Sequence, residues 1–442
     1  MKRRIAAISA KAKGAVPEGA GAVGVGIAVA AVTAYVFVIV TLNSLDTGPK
    51  AAFSAFWAVI FVVGPGFFLP IEQEVGRAIA HRRAIGQGNR PLVVKAFRLG
   101  VAITVVIVVV AIVLSPLLDR EIYRGDQSFT VALCVSLVSF FLLSLAKGVL
   151  AGVGRFRPYA EVLAIDAVVR LIMAIGLAAA GVKTAGLFAL CIGIAPLIAL
   201  PISLRSQRGI LTPGPDAPLR ELSANLGWLL AGSVLMQALA YSSLLGVNIL
   251  ASPADEAIVA GFASAFFIAR IPVLAFQAIQ GTLLPKLAGL AGAGRHDEFR
   301  AGLRKLLVLV VAVAVLGAAG AFVLGPTVGK ILFKDFTMGA EGLGLLAAGS
   351  GVFIIALTLA QALMALGGHR LTAVAWGVGA VVCIALMAVI PDLELRVDIG
   401  FLVGSAVTAA VMFIGVARRR AQMESTGIEG LVTALEQEPI EI

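Results

Sequence analysis

Three charged residues lie in otherwise apolar segments of the sequence, and their spacing limits the chemistry they can do. Asp166 and Arg170 lie near the middle of one such segment, and Arg270 lies near the middle of another. A charge inside a bilayer costs about 2.5–3.5 kcal/mol on insertion scales, so it usually faces a partner or a polar cavity. Residues four apart share one face of a helix, so Asp166 and Arg170 can neutralise each other. The Arg270 guanidinium then gives this depth of the membrane a net positive charge.

Neutral polar side chains accompany this charge. Gln277 follows Arg270 by seven residues, and Gln237, Tyr241 and Asn248 lie in the preceding apolar segment at spacings of four and seven. Both spacings place side chains on one face of a helix. We expect these residues to line a cleft that contains one cation and several neutral donors. The alternative is that the amides hold helices together by interhelical hydrogen bonds.

A cationic cavity lined by amides suits an anionic headgroup such as a phosphate or a pyrophosphate. Arginine binds phosphate oxygens with two parallel N–H donors and keeps its charge at physiological pH. A cationic drug would instead need an available carboxylate. We therefore expect Arg270, Arg170 and Asp166 to belong to the substrate site. A structural ion pair between Arg270 and Asp166 is the alternative.

The segments that carry these residues have the length and composition of membrane helices. Of the 442 residues, 60% are hydrophobic and 14% are charged. An apolar run of about 20 residues crosses the hydrocarbon core as a helix, which satisfies its own backbone hydrogen bonds. The sequence predicts an all-α integral membrane protein with twelve transmembrane helices. The predicted spans are 19–43, 51–70, 97–118, 128–150, 160–181, 184–204, 222–250, 257–288, 304–332, 341–366, 371–391 and 398–417.

Lysine and arginine are concentrated in the connections on one side of the predicted membrane, which accounts for the net charge of +10. The positive-inside rule places that side, with both termini, in the cytoplasm. No nucleic-acid partner is expected, because no basic patch with interleaved aromatic residues accompanies the charge. The three cysteines and three histidines are widely separated in the sequence. We therefore expect no metal and no cofactor.

A sequence repeat relates the two halves of the chain. "AIVLSPLLDREIYRG" at 111–125 is matched by "AFVLGPTVGKILFKD" at 321–335. Six helices per half is an even number, so the halves enter the membrane from the same side and form a parallel repeat. We expect two six-helix bundles around a central cleft that opens to alternate sides. A duplicated scaffold without transport is the alternative.

This repeat predicts the domain organisation. The linker between the halves is polar and rich in Pro and Gly, as expected for a connection. The predicted domains are a basic cytoplasmic N-terminus, an N-terminal bundle, a cytoplasmic linker, a C-terminal bundle and a cytoplasmic tail, at 1–18, 19–204, 205–221, 222–417 and 418–442.

Prolines and a charged cluster suggest moving parts. Pro65, in "GPG", is expected to interrupt the second span, and Pro272 the eighth. Proline removes a helical hydrogen bond, so both positions are candidate hinges, although static kinks are also common. Glu72, Glu74 and Arg77 follow the second span, and their spacing permits one local ion-paired cluster. We expect it to gate the cytoplasmic mouth or to form a solvated helix end.

The chain resembles the multidrug/oligosaccharidyl-lipid/polysaccharide exporter superfamily, and within it the O-antigen-type polysaccharide biosynthesis flippases. The residues that carry the resemblance include "FFLPIEQEVGRAIAHRRAIG" at 67–86 and "ARIPVLAFQAIQGTLLPKLAGLAGAGRHDEFR" at 269–300. The resemblance implies a transporter of twelve or fourteen helices that moves undecaprenyl-pyrophosphate-linked sugars across the bacterial plasma membrane. It also places Arg270 where related flippases carry a cavity arginine. Lipid II flippases usually have fourteen helices and a basic first span, and this sequence has neither.

The expected function is therefore an alternating-access flippase of a lipid-linked oligosaccharide for cell-surface polysaccharide synthesis, and not an enzyme. A cation-coupled multidrug antiporter and a lipid II flippase are the alternatives. The expected partners are the lipid-linked saccharide, membrane lipids, and glycosyltransferases or a polymerase of a polysaccharide pathway.

Overall fold

The long apolar segments fold into helices. The structure is a computed structural model that describes residues 20–222, 226–273, 276, 289–290, 294–334 and 336–437, and these residues form no strand. Among them, eleven helices are long and apolar enough to cross a membrane, and a bent pair of helices makes a twelfth span when it is counted as one. The predicted all-α fold with twelve transmembrane helices is therefore confirmed.

The chain divides into two compact units, Met1–Leu226 and Gly227–Ile442. In the first unit Thr47–Ala84 and Ser128–Gly152 are mostly buried, whereas Arg90–Glu121 is mostly exposed on the surface of the protein. A short 3-10 turn, Leu219–Leu222, follows the last of its helices. These helices are α1 (Ala20–Ser44), α2 (Thr47–Ala84), α3 (Arg90–Glu121), α4 (Ser128–Gly152), α5 (Phe156–Ala179) and α6 (Ala185–Leu204).

The second unit begins with a bent pair of helices, α7 and α8, whose axes differ by 59°. Among its described helices, Ala340–Ala365 is the most completely buried, and His296–Leu332 is mostly exposed on the surface of the protein. The helices are α7 (Leu226–Ala240), α8 (Ser242–Leu250), α9 (Glu256–Ala269), α10 (His296–Leu332), α11 (Ala340–Ala365), α12 (His369–Val389) and α13 (Leu393–Gln437).

The same helix pairing occurs in both units. In the first unit α4 packs against α2, α3 and α6, and α5 packs against α6. In the second unit α11 packs against α9, α10 and α13, and α12 packs against α13. This is the order of pairing expected when one six-helix arrangement occurs twice in a chain.

Several predicted helix boundaries are wrong by more than a few residues: α3 begins at Arg90 instead of 97, α10 begins at His296 instead of 304, and α2 and α13 continue past their predicted ends. Helix α2 is not interrupted at "GPG" and continues through Pro65 and Pro70 to Ala84, so that residues 71–84 are helical. Gly64 packs against the Phe140 ring of α4, and this contact supports the helix where the proline removes a hydrogen bond. The last helix, α13, likewise continues through most of the predicted tail to Gln437.

The eighth predicted span, 257–288, lies partly outside the described residues. Helix α9 ends at Ala269, with Arg270 as its C-cap. Residues 271–273 are helical again after this one-residue turn, and Pro272 stands in the first turn of that segment, where a proline is tolerated. Tight backbone hydrogen bonds, from Arg270 N to the Phe267 carbonyl and from Val273 N to the Arg270 carbonyl, close the chain around this point. Gln277 lies outside the described residues.

The predicted linker is an ordered strap, residues 205–222, that packs on the first unit. The Arg82 side chain at the end of α2 is only 2% exposed. Its Nε donates to Glu221 Oε2 at 2.7 Å and its Nη2 to Glu221 Oε1 at 3.1 Å. The remaining bonds of the guanidinium go to the carbonyls of Gly88, Pro215 and Asp216, each at 2.9 Å. One guanidinium thus fastens the strap at several points.

A second set of contacts fastens the middle of the strap. Asn89 Nδ2 donates to the Ile210 carbonyl at 2.8 Å, and Asn89 Oδ1 accepts from the Thr212 backbone at 2.9 Å. A Cβ atom at Gly88 would collide with the Pro213 carbonyl oxygen, so the close approach of the strap requires glycine there. The strap is therefore a structural part of the first unit.

We expect Arg82→Met to lower the free energy of unfolding by about 3 kcal/mol, because it leaves Glu221 and three carbonyls without their donor. The measurement is thermal unfolding of the purified protein in detergent. Arg83→Met is the matched control, because Arg83 donates one exposed bond to the Val153 carbonyl. Equal losses for the two variants would contradict this account of the strap.

The strap also predicts an acid-sensitive contribution to stability. The hydrogen bond from Arg82 lowers the pKa of Glu221 below its ordinary value of 4.5. A carboxyl whose pKa is lower in the folded protein stabilises the fold at neutral pH, and this contribution is lost as the pH falls through the lowered pKa. We expect Glu221→Gln to be less stable than the parent at pH 7 and to differ less from it at pH 3 in the same unfolding assay. A constant difference between pH 7 and pH 3 would contradict the assignment.

Candidate functional site

Arg270 lies at the end of a helix inside the second unit. Its backbone caps the C-terminus of α9, within the candidate span Glu256–Val273. The C-terminal end of a helix carries partial negative charge, so it stabilises a cation in its last turn.

Four aromatic rings surround the Arg270 guanidinium. Its central carbon lies 4.7 Å from the ring centre of Phe266, 5.2 Å from Tyr241, 5.5 Å from Phe401 and 5.6 Å from Phe353. Each contact has cation–π geometry, and such contacts stabilise a desolvated cation by about 2 kcal/mol or less each. We call these four rings the aromatic cage.

The rings of the cage support one another. Tyr241 and Phe266 lie 5.7 Å apart between ring centres, and Phe353 and Phe401 lie 5.9 Å apart. A Cβ atom at Gly349 would come within 2.7 Å of the Phe401 ring, so α11 needs glycine there to let that ring approach. The cage therefore unites side chains from α9, α11, α13 and the α7–α8 junction.

Tyr241 is the residue at which the α7–α8 pair bends. It caps the N-terminus of α8 and has a backbone conformation outside the helical range. The next residue, Ser242, donates its hydroxyl to the Leu239 carbonyl at 2.8 Å. Serine hydroxyls that bond to the preceding turn bend helices. The bend places Tyr241 beside Arg270.

The same bend separates the polar residues that were predicted to share one helix face, Gln237, Tyr241 and Asn248. Gln237 lies on α7 and Asn248 on α8, so the two amides do not share one straight helix face. Asn248 is buried and donates to the Leu244 carbonyl of its own helix at 2.8 Å. Tyr241, which lies between the two amides, contacts the Arg270 guanidinium.

In the first unit, Asp166 and Arg170 form the predicted ion pair on α5. Arg170 Nη2 donates to Asp166 Oδ2 at 2.7 Å, and both side chains are buried. Asp166 Oδ1 and Arg170 Nε make no hydrogen bond within the described residues. Buried polar atoms usually have partners, so this pair offers hydrogen-bonding positions for a water molecule or a ligand.

The predicted gate cluster is split between two sets of partners. Glu74 accepts two bonds from Arg77, at 3.0 and 2.9 Å. Glu72 is buried, pairs with Lys147 of α4 at 2.7 Å, and accepts from the Tyr159 hydroxyl at 3.0 Å. Residues two apart on a helix point in different directions, which is why one cluster does not form. Glu72 therefore joins helices of the first unit instead of forming a surface gate with Arg77.

Two further charges lie within the helices and are not among the predicted site residues. Lys147 lies inside α4, in the apolar run "LLSLAKGVL", and its side chain is 15% exposed. Asp398 lies one turn before Phe401 on α13, is 1% exposed, and its Oδ1 atom has no hydrogen-bond partner in the described part of the chain. Lys147 could have been found by treating any charge within an apolar run as an internal residue, whereas Asp398 follows Asp392, Glu394 and Arg396 and gives no such signal.

Comparison with known proteins decides the family. The family model described as lipid II flippase MurJ matches residues 80–340, which is more than half of the chain. The chain belongs to the MurJ lipid II flippase family. It is therefore a multi-pass membrane protein and a flippase or exporter of the superfamily that the sequence resembles, and it is a transporter rather than an enzyme. The family is the one that the sequence analysis treated as an alternative, and O-antigen-type specificity remains a prediction.

Two curated relatives match a longer part of the chain than the family model does. An uncharacterized protein of Mycobacterium tuberculosis is 30% identical over 406 residues, covering 87% of this chain and 89% of the relative. An uncharacterized protein of Mycobacterium bovis is 26% identical over 400 residues, covering 87% and 88%. The similarity to both therefore spans both units.

Solved structures share the fold of this MurJ-family chain. An inward-facing multidrug resistance MATE family transporter matches with a TM-score of 0.70 and 15% identity, covering 89% of this chain and 95% of that chain. An outward-facing MATE structure matches with a TM-score of 0.68 and 14% identity, covering 92% and 96%. At this level of identity the likeness shows the fold alone.

The buried Asp166–Arg170 pair generates a stability prediction. We expect Asp166→Asn to lower the free energy of unfolding by about 3–5 kcal/mol, because it leaves the Arg170 charge buried without its carboxylate. Replacing both residues by Leu should recover much of the loss, because no charge then remains. The measurement is thermal unfolding in detergent.

The matched control for this prediction is on the same helix. Arg157 and Glu161 form an exposed pair with the same spacing of four residues. We expect Arg157→Gln to change the free energy of unfolding by less than about 1 kcal/mol. An Asp166→Asn variant as stable as Arg157→Gln would show that the buried pair does not stabilise α5.

Proposed function

We propose that this protein is an alternating-access flippase for a polyprenyl-pyrophosphate-linked saccharide. The observation that carries the proposal is the caged Arg270 guanidinium at the end of α9. It is a permanent cation in an apolar part of the second unit, held by four rings and a helix C-terminus. A pyrophosphate headgroup needs a cation that does not titrate and that offers parallel N–H donors, and arginine meets both needs.

The repeated architecture supports alternating access as the mechanism. Both units use the same helix pairing, and rocking of two such repeats against each other is the usual way in which duplicated membrane bundles move a substrate. In this proposal the headgroup enters from the cytoplasmic side, and the lipid tail stays in the bilayer. The concentration of basic residues supports cytoplasmic termini and a location in the bacterial plasma membrane. Pro65 and Pro272 remain candidate hinges.

The proposed saccharide is an oligosaccharide for the cell surface, with lipid II as the alternative. Two features support this order: the described first helix, Ala20–Ser44, contains no basic residue, and the described residues form up to twelve spans. The resemblance assigns a basic first span and fourteen helices to lipid II flippases. Glycosyltransferases or a polymerase that use the same carrier are the proposed partners.

A cation-coupled multidrug antiporter is the second candidate, and Asp398 is the observation that favours it. Such an antiporter needs a working carboxylate, and Asp166 is already bonded to Arg170. Asp398 is buried, and within the described residues its Oδ1 atom accepts no hydrogen bond. Ethidium efflux from a sensitive host that disappears in Asp398→Asn would favour the antiporter over the flippase.

The flippase proposal predicts that Arg270 controls the rate of transport. In proteoliposomes with a fluorescent polyprenyl-pyrophosphate-linked saccharide, we expect Arg270→Ala to slow exposure of the headgroup at the outer face by about 10- to 100-fold. This is the loss expected for charge-assisted hydrogen bonds worth about 1.5–3 kcal/mol. Arg270→Lys should also be slow, because an ammonium cannot bind the phosphate with two parallel donors.

Thermal unfolding of the same preparations separates binding from folding. Phe353→Leu is the structural control, because it removes one ring of the cage and keeps the guanidinium. We expect it to lower stability more than it lowers the transport rate. An undiminished rate in Arg270→Ala would remove the proposed role of this residue.

A further inference from the structure

An apolar groove of about 510 Å³ lies on the second unit, away from the aromatic cage. It is formed by side chains of α10, α11 and α13, and its lining is almost entirely aliphatic and aromatic. Val308 and Phe413, which line it, are 64% and 59% exposed. In a membrane helix such exposed apolar side chains face lipid.

The length of the groove matches one leaflet of a bilayer. Its lining on α10 runs from Arg300 to Val311, which is about 16 Å along a helix axis. The hydrocarbon core is roughly 30 Å thick, so this distance is about half of it. The candidate span that contains α10 has 36 residues, more than a membrane crossing requires. Arg300, on the second turn of α10, therefore lies at the membrane surface.

Two arginines line the surface end of the groove. Arg300 and Arg304 are four residues apart on one face of α10, and both are exposed. Neither forms an ion pair with a carboxylate in the part of the chain that the structure describes. Like charges at this spacing repel each other, so an anion between them would relieve the repulsion.

Other basic residues at helix ends have carboxylate partners. Arg295, just before α10, donates to Glu298 at 2.7 Å. In the first unit, Lys95 near the start of α3 pairs with Asp216 of the strap at 2.9 Å. The arginines of the groove have no such carboxylate partner among the described residues, and an apolar channel continues from them toward the membrane centre.

We propose that this groove binds one anionic membrane phospholipid, with an acyl chain along the apolar lining and the phosphate between Arg300 and Arg304. Arginine is suited to phosphate because its planar fork matches the phosphate oxygens. The bound lipid is distinct from the transported substrate and covers the lipid-facing seam of α10, α11 and α13. The inference does not depend on the proposed function.

A fluorescent reporter in the groove tests this site. Phe413→Trp places an indole in the lining, and the native Trp57, Trp228 and Trp376 are corrected for with the parent protein. The probes are brominated phosphatidylglycerol and brominated phosphatidylcholine with the same acyl chains, because bromine quenches only a tryptophan that the chain contacts. We expect phosphatidylglycerol to quench the reporter at a lower mole fraction than phosphatidylcholine, by roughly fivefold for each arginine.

Two double variants of the Phe413→Trp protein show which charges cause the preference for phosphatidylglycerol. Arg300→Gln with Arg304→Gln should abolish the preference and leave quenching by phosphatidylcholine unchanged, which also shows that the groove is intact. Arg295→Gln with Lys305→Gln removes the same charge outside the lining and should keep the preference. Equal quenching by the two lipids in the parent reporter protein would overturn the proposal, as would equal losses in the two double variants.

A competition experiment distinguishes the phospholipid from the tail of a transported lipid. Polyprenyl phosphate is added at a mole fraction equal to that of brominated phosphatidylglycerol. Unchanged quenching supports a phospholipid site. Displacement of the phosphatidylglycerol would overturn the proposal in favour of a substrate-tail site. The transport rate of Arg270 variants is independent of either result, so the two proposals fail separately.

Discussion

The second unit is organised around the need to hold one guanidinium away from bulk water. A charge in hydrocarbon is unfavourable unless the protein replaces its hydration. Here the replacement comes from four ring faces and the C-terminal end of α9, which together explain two irregularities of the helices. Helix α9 ends at Ala269, with Arg270 as its C-cap, and the α7–α8 pair bends at Tyr241. Both irregularities bring groups to Arg270 that straight helices would keep apart.

The two units share a helix arrangement and differ in the partners of the charged side chains inside their helices. In the first unit the buried charges are paired, Glu72 with Lys147 and Asp166 with Arg170. In the second unit the Arg270 cation is surrounded by rings. Duplication therefore preserves the packing that crosses the membrane, while the polar side chains diverge. The result of that divergence is a caged cation in the second unit and paired charges in the first.

The sequence predicts the features that depend on local spacing. Apolar runs locate the twelve spans, and a spacing of four residues locates the Asp166–Arg170 pair, because both signals lie within one helix. The aromatic cage is different: its rings come from distant parts of the chain, and an isolated Phe353 or Phe401 looks like any core residue. The strap could not be predicted for the same reason. Nothing in the sequence near Arg82 indicates that it pairs with a carboxylate 139 residues away. The bend at Tyr241 contains neither proline nor glycine, and only the two serines after it give a weak signal.

The central claim is that the Arg270 guanidinium binds the phosphate of a lipid-linked saccharide. The most direct test is a structure determined with a polyprenyl-pyrophosphate-linked saccharide bound. The account predicts phosphate oxygens about 2.7–2.9 Å from the guanidinium nitrogens of Arg270. A headgroup resolved elsewhere, with the aromatic cage closed around Arg270 and no phosphate within reach, would contradict it.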